Sequence, residues 1–156
     1  MDDFEAPSMG KRPSWQVSQV QFNSRDYEDA FALREEVLRK PLGLSLSDET
    51  LLQERDYSHF VCRSDGELVA CLVLLPKENG EIRMRQVAVK PYLQGQGIGR
   101  ALVEYAEEFA RECGFMMMTL NARDTAIPFY DKLGYECVGE PFIEVTIPHH
   151  AMQKQL

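Results

Sequence analysis

This 156-residue chain lacks long apolar runs, paired cysteines and a basic excess, and each absence excludes a class of function. No apolar stretch approaches the ~20 residues of a helical membrane span. The first residues, Met1 to Ser14, carry Asp2, Asp3, Glu5 and Pro7 and no apolar signal core. They read as a short mobile tail, leaving residues 15–156 as one domain. The four cysteines (Cys62, Cys71, Cys113 and Cys137) form no C-x-x-C pair, and each sits in an apolar stretch. Zinc or redox chemistry is therefore not expected; buried, reduced thiols in a cytoplasmic protein are. Twenty-five acidic residues against seventeen basic ones give a net charge of −8. That balance argues against binding phosphate-rich nucleic acid. It serves solubility first, and mildly favours a cationic substrate such as an amine.

Hydrophobic residues make up 44% of the chain, enough for a real core. Trp15 to Gln21 reads as an opening strand. Ser24 is a helix cap, with Asp26 and Glu28 in the first turn and Tyr27, Ala30, Phe31, Arg34, Val37 and Leu38 at helical spacing. Ser47 to Asp56 is a candidate second, short helix. A meander follows: strands at His59–Arg63, Leu68–Leu75 and Ile82–Val89, with hairpin signals at Asp65-Gly66 and Asn79-Gly80. The second of these is apolar throughout, as a strand buried on both faces should be. In the third, alternation sets Ile82, Met84, Gln86 and Ala88 on one face and Arg83, Arg85, Val87 and Val89 on the other.

Gly97 to Cys113 is a long amphipathic helix. Its apolar stripe is Ile98, Ala101, Leu102, Tyr105, Ala106, Phe109, Ala110 and Cys113. Glu104, Glu107, Glu108 and Glu112 read as its solvated face. Met116–Leu120 is a core strand, Thr125–Leu133 a short helix, and Tyr135–Val138 and Phe142–Ile147 two closing strands. The order predicts an α/β (α+β) fold: a mixed, mainly antiparallel sheet of six to seven strands with helices on both faces.

The most informative stretch is Val87-Ala88-Val89-Lys90-Pro91-Tyr92-Leu93-Gln94-Gly95-Gln96-Gly97-Ile98-Gly99-Arg100. A strand ends and a helix opens on three glycines. The first N–H groups of a helix have no internal acceptor, and with the helix dipole they form an anion site. The pattern fails the dinucleotide fingerprint, since Arg100 stands where a third glycine is needed. It fails the P-loop too, since no Lys-Ser or Lys-Thr follows. It matches Q-x-x-G-x-G at Gln94, Gly97 and Gly99.

On these residues the chain resembles the GNAT superfamily of N-acetyltransferases. The downstream segment Leu120-Asn121-Ala122 and Ala126-Ile127-Pro128-Phe129-Tyr130-Asp131-Lys132-Leu133-Gly134-Tyr135 resembles that family's second cofactor segment. The ending Phe142-x-Glu144-x-x-Ile147-Pro148-His149-His150-x-Met152 is similar to the tail of ElaA-like members. The resemblance implies that acetyl-CoA is the co-substrate, with no metal, and that a small-molecule or peptide amine is the acceptor. It implies a pyrophosphate cradle of Gln94, Gly95, Gln96, Gly97, Ile98, Gly99 and Arg100. It also implies that Val87, Ala88 and Val89 lie on a strand that splays from its neighbour. Main-chain groups of Val87 and Val89 would hold the pantetheine arm, and a backbone N–H there would polarise the thioester carbonyl. Tyr130 falls on the family's general-acid position.

Around that frame several assignments stay open. Asn121 is either a partner of the cofactor amide or an ordinary strand-end polar group. The general base is Glu81, Glu144, His149 or His150, or an ordered water; His149 suits the task because an imidazole titrates near neutrality. Lys90 and Lys132 are outer-phosphate contacts or plain surface lysines. Arg34 lines the acceptor pocket or pairs with an acidic neighbour. Gln86 aims into the cleft or is a satisfied buried amide. No cysteine sits beside a histidine in a nucleophile motif, so direct attack of the amine is preferred over a covalent acyl-enzyme. A non-catalytic CoA-binding sensor is the rival reading. No membrane partner is expected, and a homodimer is left open.

Overall fold

A computed structural model describes residues 15–39 and 54–156. The proposed tail and most of the candidate helix Ser47–Asp56 lie outside these residues; Glu54–Asp56 forms a 3-10 turn. Among the described residues seven strands make one sheet: β1 (Trp15–Val20), β2 (Ser58–Ser64), β3 (Glu67–Pro76), β4 (Glu81–Val89), β5 (Met117–Arg123), β6 (Glu136–Glu144) and β7 (Ile147–Gln155). Their order is β1-β2-β3-β4-β5-β7-β6, and every pair is antiparallel except β4 with β5. Helix α1 (Arg25–Arg34) runs into a π-helical turn at Glu35–Arg39; α2 (Ile98–Glu112) and α3 (Ile127–Lys132) follow β4 and β5.

Helices cover both faces, as expected. α2 packs on the face carrying Ala70, Leu72, Leu74, Met118, Leu120 and Met152, which form the larger core. On the opposite face Ala30 and Leu33 of α1 meet Val61, Leu68, Cys71 and Ala88. β3 is buried from Leu68 to Leu74 because both layers close over it. Ser24 caps α1, its hydroxyl accepting from the Tyr27 N–H at 3.1 Å. Asp65-Gly66 and Asn79-Gly80 both have positive φ, the tight hairpin geometry their composition predicts.

Four expectations need correction. Alternation in β4 breaks at Gln86, whose φ is +56°. A bulge there places Gln86 and Val87 opposite the single residue Leu72, between the pairs Arg85↔Val73 and Ala88↔Cys71. Ile82, Met84, Val87 and Val89 therefore share the α2 face, while Arg83, Arg85 and Ala88 share the α1 face. Glu107 is not solvated; it is 3% exposed. It accepts from the Tyr135 hydroxyl at 2.7 Å and from Lys154 Nζ at 3.0 Å, which locks α2 to the end of the sheet. Cys113 and Cys137 are exposed, because one ends α2 and the other lies on edge strand β6; only Cys62 and Cys71 are buried. Finally, the chain closes with β6 and β7 joined at Val145-Thr146, both at positive φ, and His149 lies inside β7 rather than after a strand.

Beneath α1 lies a second polar lock. Arg34, 1% exposed, grips the Glu54 carboxylate with two bonds of 2.8 and 2.6 Å. The Tyr27 hydroxyl adds a third at 3.0 Å. His59 Nε2 lies 2.8 Å from the Glu54 carbonyl oxygen, so that nitrogen carries the proton. Burial would raise the Glu54 carboxyl, but the hydrogen bonds and charge of Arg34 outweigh it and hold the group below its usual range.

Candidate active site

β4 and β5 are hydrogen-bonded in parallel only at Glu81–Arg83 and Met117–Thr119. Past Arg83 the two strands part, and the rest of β5 pairs with β7 alone. The sheet thus splits into a V that opens toward Val89 and Arg123. Lys90 N–H donates to Val69 of β3 at 2.9 Å. Alternation along the strand then turns the main-chain groups of Val89 and Val87 toward the V. Gln94 Nε2 takes the Val89 carbonyl at 3.1 Å, leaving the Val89 N–H and the Val87 groups on the open edge.

The glycine turn sits at the mouth of this V. Gln94 spends its own N–H on Pro91 at 3.3 Å, so the unpaired stretch begins at Gly95. Gly95 and Gly97 stand at φ +84° and +93°, a region closed to most side chains. Helix α2 starts at Ile98, and its first internal bond runs from Ala101 N–H to Gly97 at 3.0 Å. Among the described residues no side chain caps Ile98, Gly99 or Arg100, and no acidic residue lies in this first turn. α1, by contrast, has both a serine cap and two acids there. The start of α2 therefore keeps its partial positive charge and can accept an anion. Gly99 is held by packing: a Cβ there would come within 3.3 Å of the Phe129 ring. Arg100 is exposed and pairs with Glu104 at 3.1 Å, one turn along.

Tyr130 of α3 belongs to the larger core, its ring 4.9 Å from Phe129 and 5.7 Å from Tyr135, both edge-on. Burial alone pushes its hydroxyl well above the usual phenol value, so it stays protonated and can only donate or accept hydrogen bonds. Asn121 is exposed on the α1 face of β5, two residues before Arg123. His149 lies opposite Arg123 on that face, stacked on Phe142. Its Nδ1 is 2.8 Å from the Ile147 carbonyl oxygen, which fixes the proton on Nδ1 and leaves Nε2 as the unprotonated acceptor of a ring that is only 8% exposed. Tyr130 and His149 therefore lie on opposite faces of the sheet.

The other candidates lie elsewhere. Glu81 is at the closed end of the V, accepting from Thr119 at 2.7 Å. Glu144 flanks an exposed hairpin, and His150 Nε2 donates to Gly139 at 2.9 Å. Lys90 pairs with Glu67 at 2.8 Å, and Arg34 with Glu54. A surface depression lined by Met117, Gly134, Glu136, Gln153, Lys154 and Gln155 lies at the opposite end of β5 and touches none of this machinery. Among the described residues no cluster of His, Cys, Asp or Glu has metal-binding geometry, and no helix is long and apolar enough to cross a membrane. Sequence reasoning missed Arg39, Arg85 and Arg123, which come from three segments with no shared motif and meet only in the fold.

Residues 32–156 fit the model described as acetyltransferase (GNAT) domain. The chain belongs to the GNAT acetyltransferase family. It is 30% identical over 133 residues to YjcF of Bacillus subtilis, called an uncharacterized N-acetyltransferase, covering 85% of this chain and 94% of that one. The crystal structure of a Lactobacillus plantarum protein assigned as an N-acetyltransferase superposes with a TM-score of 0.82 at 26% identity, covering 92% and 99% of the two chains. Escherichia coli ElaA shares the fold at TM-score 0.77 and 21% identity, over 90% and 99%. So does an aminoglycoside 6'-N-acetyltransferase complexed with coenzyme A, at TM-score 0.74 and 17% identity, over 90% and 96%. This GNAT chain is accordingly an acyltransferase.

Proposed function

We propose that this acyltransferase moves the acetyl group of acetyl-CoA to a primary amine by direct attack of the amine on the thioester. The observation that carries the reading is the acid-free, uncapped first turn of α2 at the mouth of the V. Its free amides, with those of Gly95, Gln96 and Gly97, suit the diphosphate of the co-substrate. Arg100 adds a cation on the same turn. The open edge at Val87 and Val89, with Ala88 buried between them, offers amide partners for the pantetheine arm. Asn121 can hydrogen-bond the same arm from β5.

Acetyl-CoA supplies the activated acyl group. The amine must arrive neutral, because an ammonium has no lone pair. As the new C–N bond forms and the C–S bond breaks, the nitrogen loses one proton and the sulfur gains one. The Tyr130 hydroxyl, kept protonated by burial, is the donor. Nε2 of His149, left unprotonated by the Nδ1 bond, is the acceptor of the amine proton, directly or through a water. A main-chain N–H on the β4 edge polarises the thioester carbonyl.

The test is thiol release from acetyl-CoA across a panel of amines, with Tyr130→Phe as the variant. Wild type turns over at least one acceptor above hydrolysis. Tyr130→Phe loses about 10²–10⁴-fold in kcat while CoA still binds. Undiminished turnover in that variant removes the acid from Tyr130. Silence across the panel with CoA bound leaves a cofactor-binding module without transfer.

A further inference from the structure

The open end of the V on the α1 face is strongly cationic, in a protein whose net charge is −8. Arg123, the last residue of β5, reaches the carbonyl of Leu38 with Nη2 at 3.4 Å and so lies against the π-helical turn Glu35–Arg39. The next residue is Arg39, and its Nε is buried with no hydrogen-bond partner among the described residues. Arg85 projects on the same face from the strand opposite, just before the Gln86 bulge, and is exposed. Burial first, then the charges of Arg34, Arg85 and Arg123, make the Arg39 guanidinium easier to deprotonate; among the described residues Glu35 is the carboxylate that opposes this. Arg34 cannot help a ligand, since Glu54 holds it.

Three guanidiniums in one recess repel each other, and the one carboxylate among the described residues does not balance them. Such a group is stable when an outside anion completes it, and the guanidinium fork suits carboxylate and phosphate. The anion is not the diphosphate of the co-substrate, because α2 and its uncapped turn cover the other face of the sheet. The recess instead adjoins Asn121 and His149, on the side from which an acceptor can enter. We infer that Arg39, Arg85 and Arg123 form the acceptor subsite, and that the physiological acceptor is an amine carrying a carboxylate or phosphate rather than a polycation. This inference rests on the acetyl-transfer reading. It also reverses the expectation from net charge, because the local field at a recess outweighs the sum over the surface.

Matched acceptors test it: amino acids against their carboxamides, phosphoethanolamine against ethanolamine, and spermidine as a polycation. The anionic member of at least one pair should have a kcat/KM about tenfold or more above its neutral mate and above spermidine. Arg85→Gln, at an exposed position that folding tolerates, should raise the acceptor KM toward that of the neutral mate, with the acetyl-CoA KM within about twofold of wild type. Neutral or polycationic amines performing as well overturn the inference. So does an Arg85→Gln defect confined to acetyl-CoA, which assigns the arginines to the co-substrate. If no amine supports thiol release, the transfer reading fails separately. Calorimetry of the same pairs, with and without CoA, then decides the subsite. Tighter binding of the anionic member, lost in Arg85→Gln, upholds it; equal or absent binding rejects it.

Discussion

Replacing Arg34 by Met removes one half of the buried lock beneath α1 while nearly keeping its volume. The pair is among the most enclosed in the molecule, with side chains 1% and 4% exposed. Arg34→Met leaves the Glu54 carboxylate with the Tyr27 hydroxyl as its remaining side-chain donor among the described residues. Breaking a buried pair from one side costs about 3–5 kcal/mol, because the surviving charge stays desolvated. For a domain of this size each kcal/mol moves Tm by roughly 2–4 °C, so a fall of about 6–20 °C is expected. Urea titration and thermal melts read it directly. The double variant Arg34→Met/Glu54→Met should recover most of the loss, since neither charge then remains. A single-variant cost below about 1 kcal/mol, or a double variant no better than Arg34→Met alone, would refute the idea that desolvation dominates here.

Two further outcomes bear on the same interior and on the turn. Burial lowers the His59 imidazole below its ordinary 6.5, although the Glu54 carbonyl and charge oppose this. The unfolded chain therefore binds a proton that the folded one refuses, and stability falls as pH drops below about 6.5. A second decline follows below the ordinary 4.5 of Glu54, whose folded value is also depressed. Urea midpoints from pH 8 to pH 4 should show both stages, and His59→Gln should remove the first. Gly99→Val forces a branched side chain against Phe129 and Val89, so it should lose about 1–3 kcal/mol in a urea titration.

Much of this architecture is legible in the sequence because single residues dictate it. Asp65-Gly66 and Asn79-Gly80 announce their hairpins, Ser24 announces α1, and the glycines from Gly95 to Gly99 announce the start of α2. The last hairpin is illegible because Val145 and Thr146 are β-branched and read as strand, yet the chain turns on them in left-handed geometry. The β4 bulge is hidden for the same reason: Gln86 carries no sign that it will leave the extended region, so the faces of Val87 and Ala88 come out reversed. Glu107 has the spacing of a wet helix position; only tertiary contact with Lys154 and Tyr135 explains its burial. At the site, the cofactor turn is local and readable. The arginine recess is not, because Arg39, Arg85 and Arg123 are brought together by the sheet.

Calorimetry of coenzyme A against pantetheine, on wild type and on Gly97→Val, tests the anion cradle at the start of α2 most directly. Wild type should bind coenzyme A and lose most of that affinity when the nucleotide diphosphate is removed. In Gly97→Val, where a β-branched residue is forced to φ near +93°, coenzyme A binding should vanish. No heat with wild type, or equal affinity for both ligands, would contradict the account.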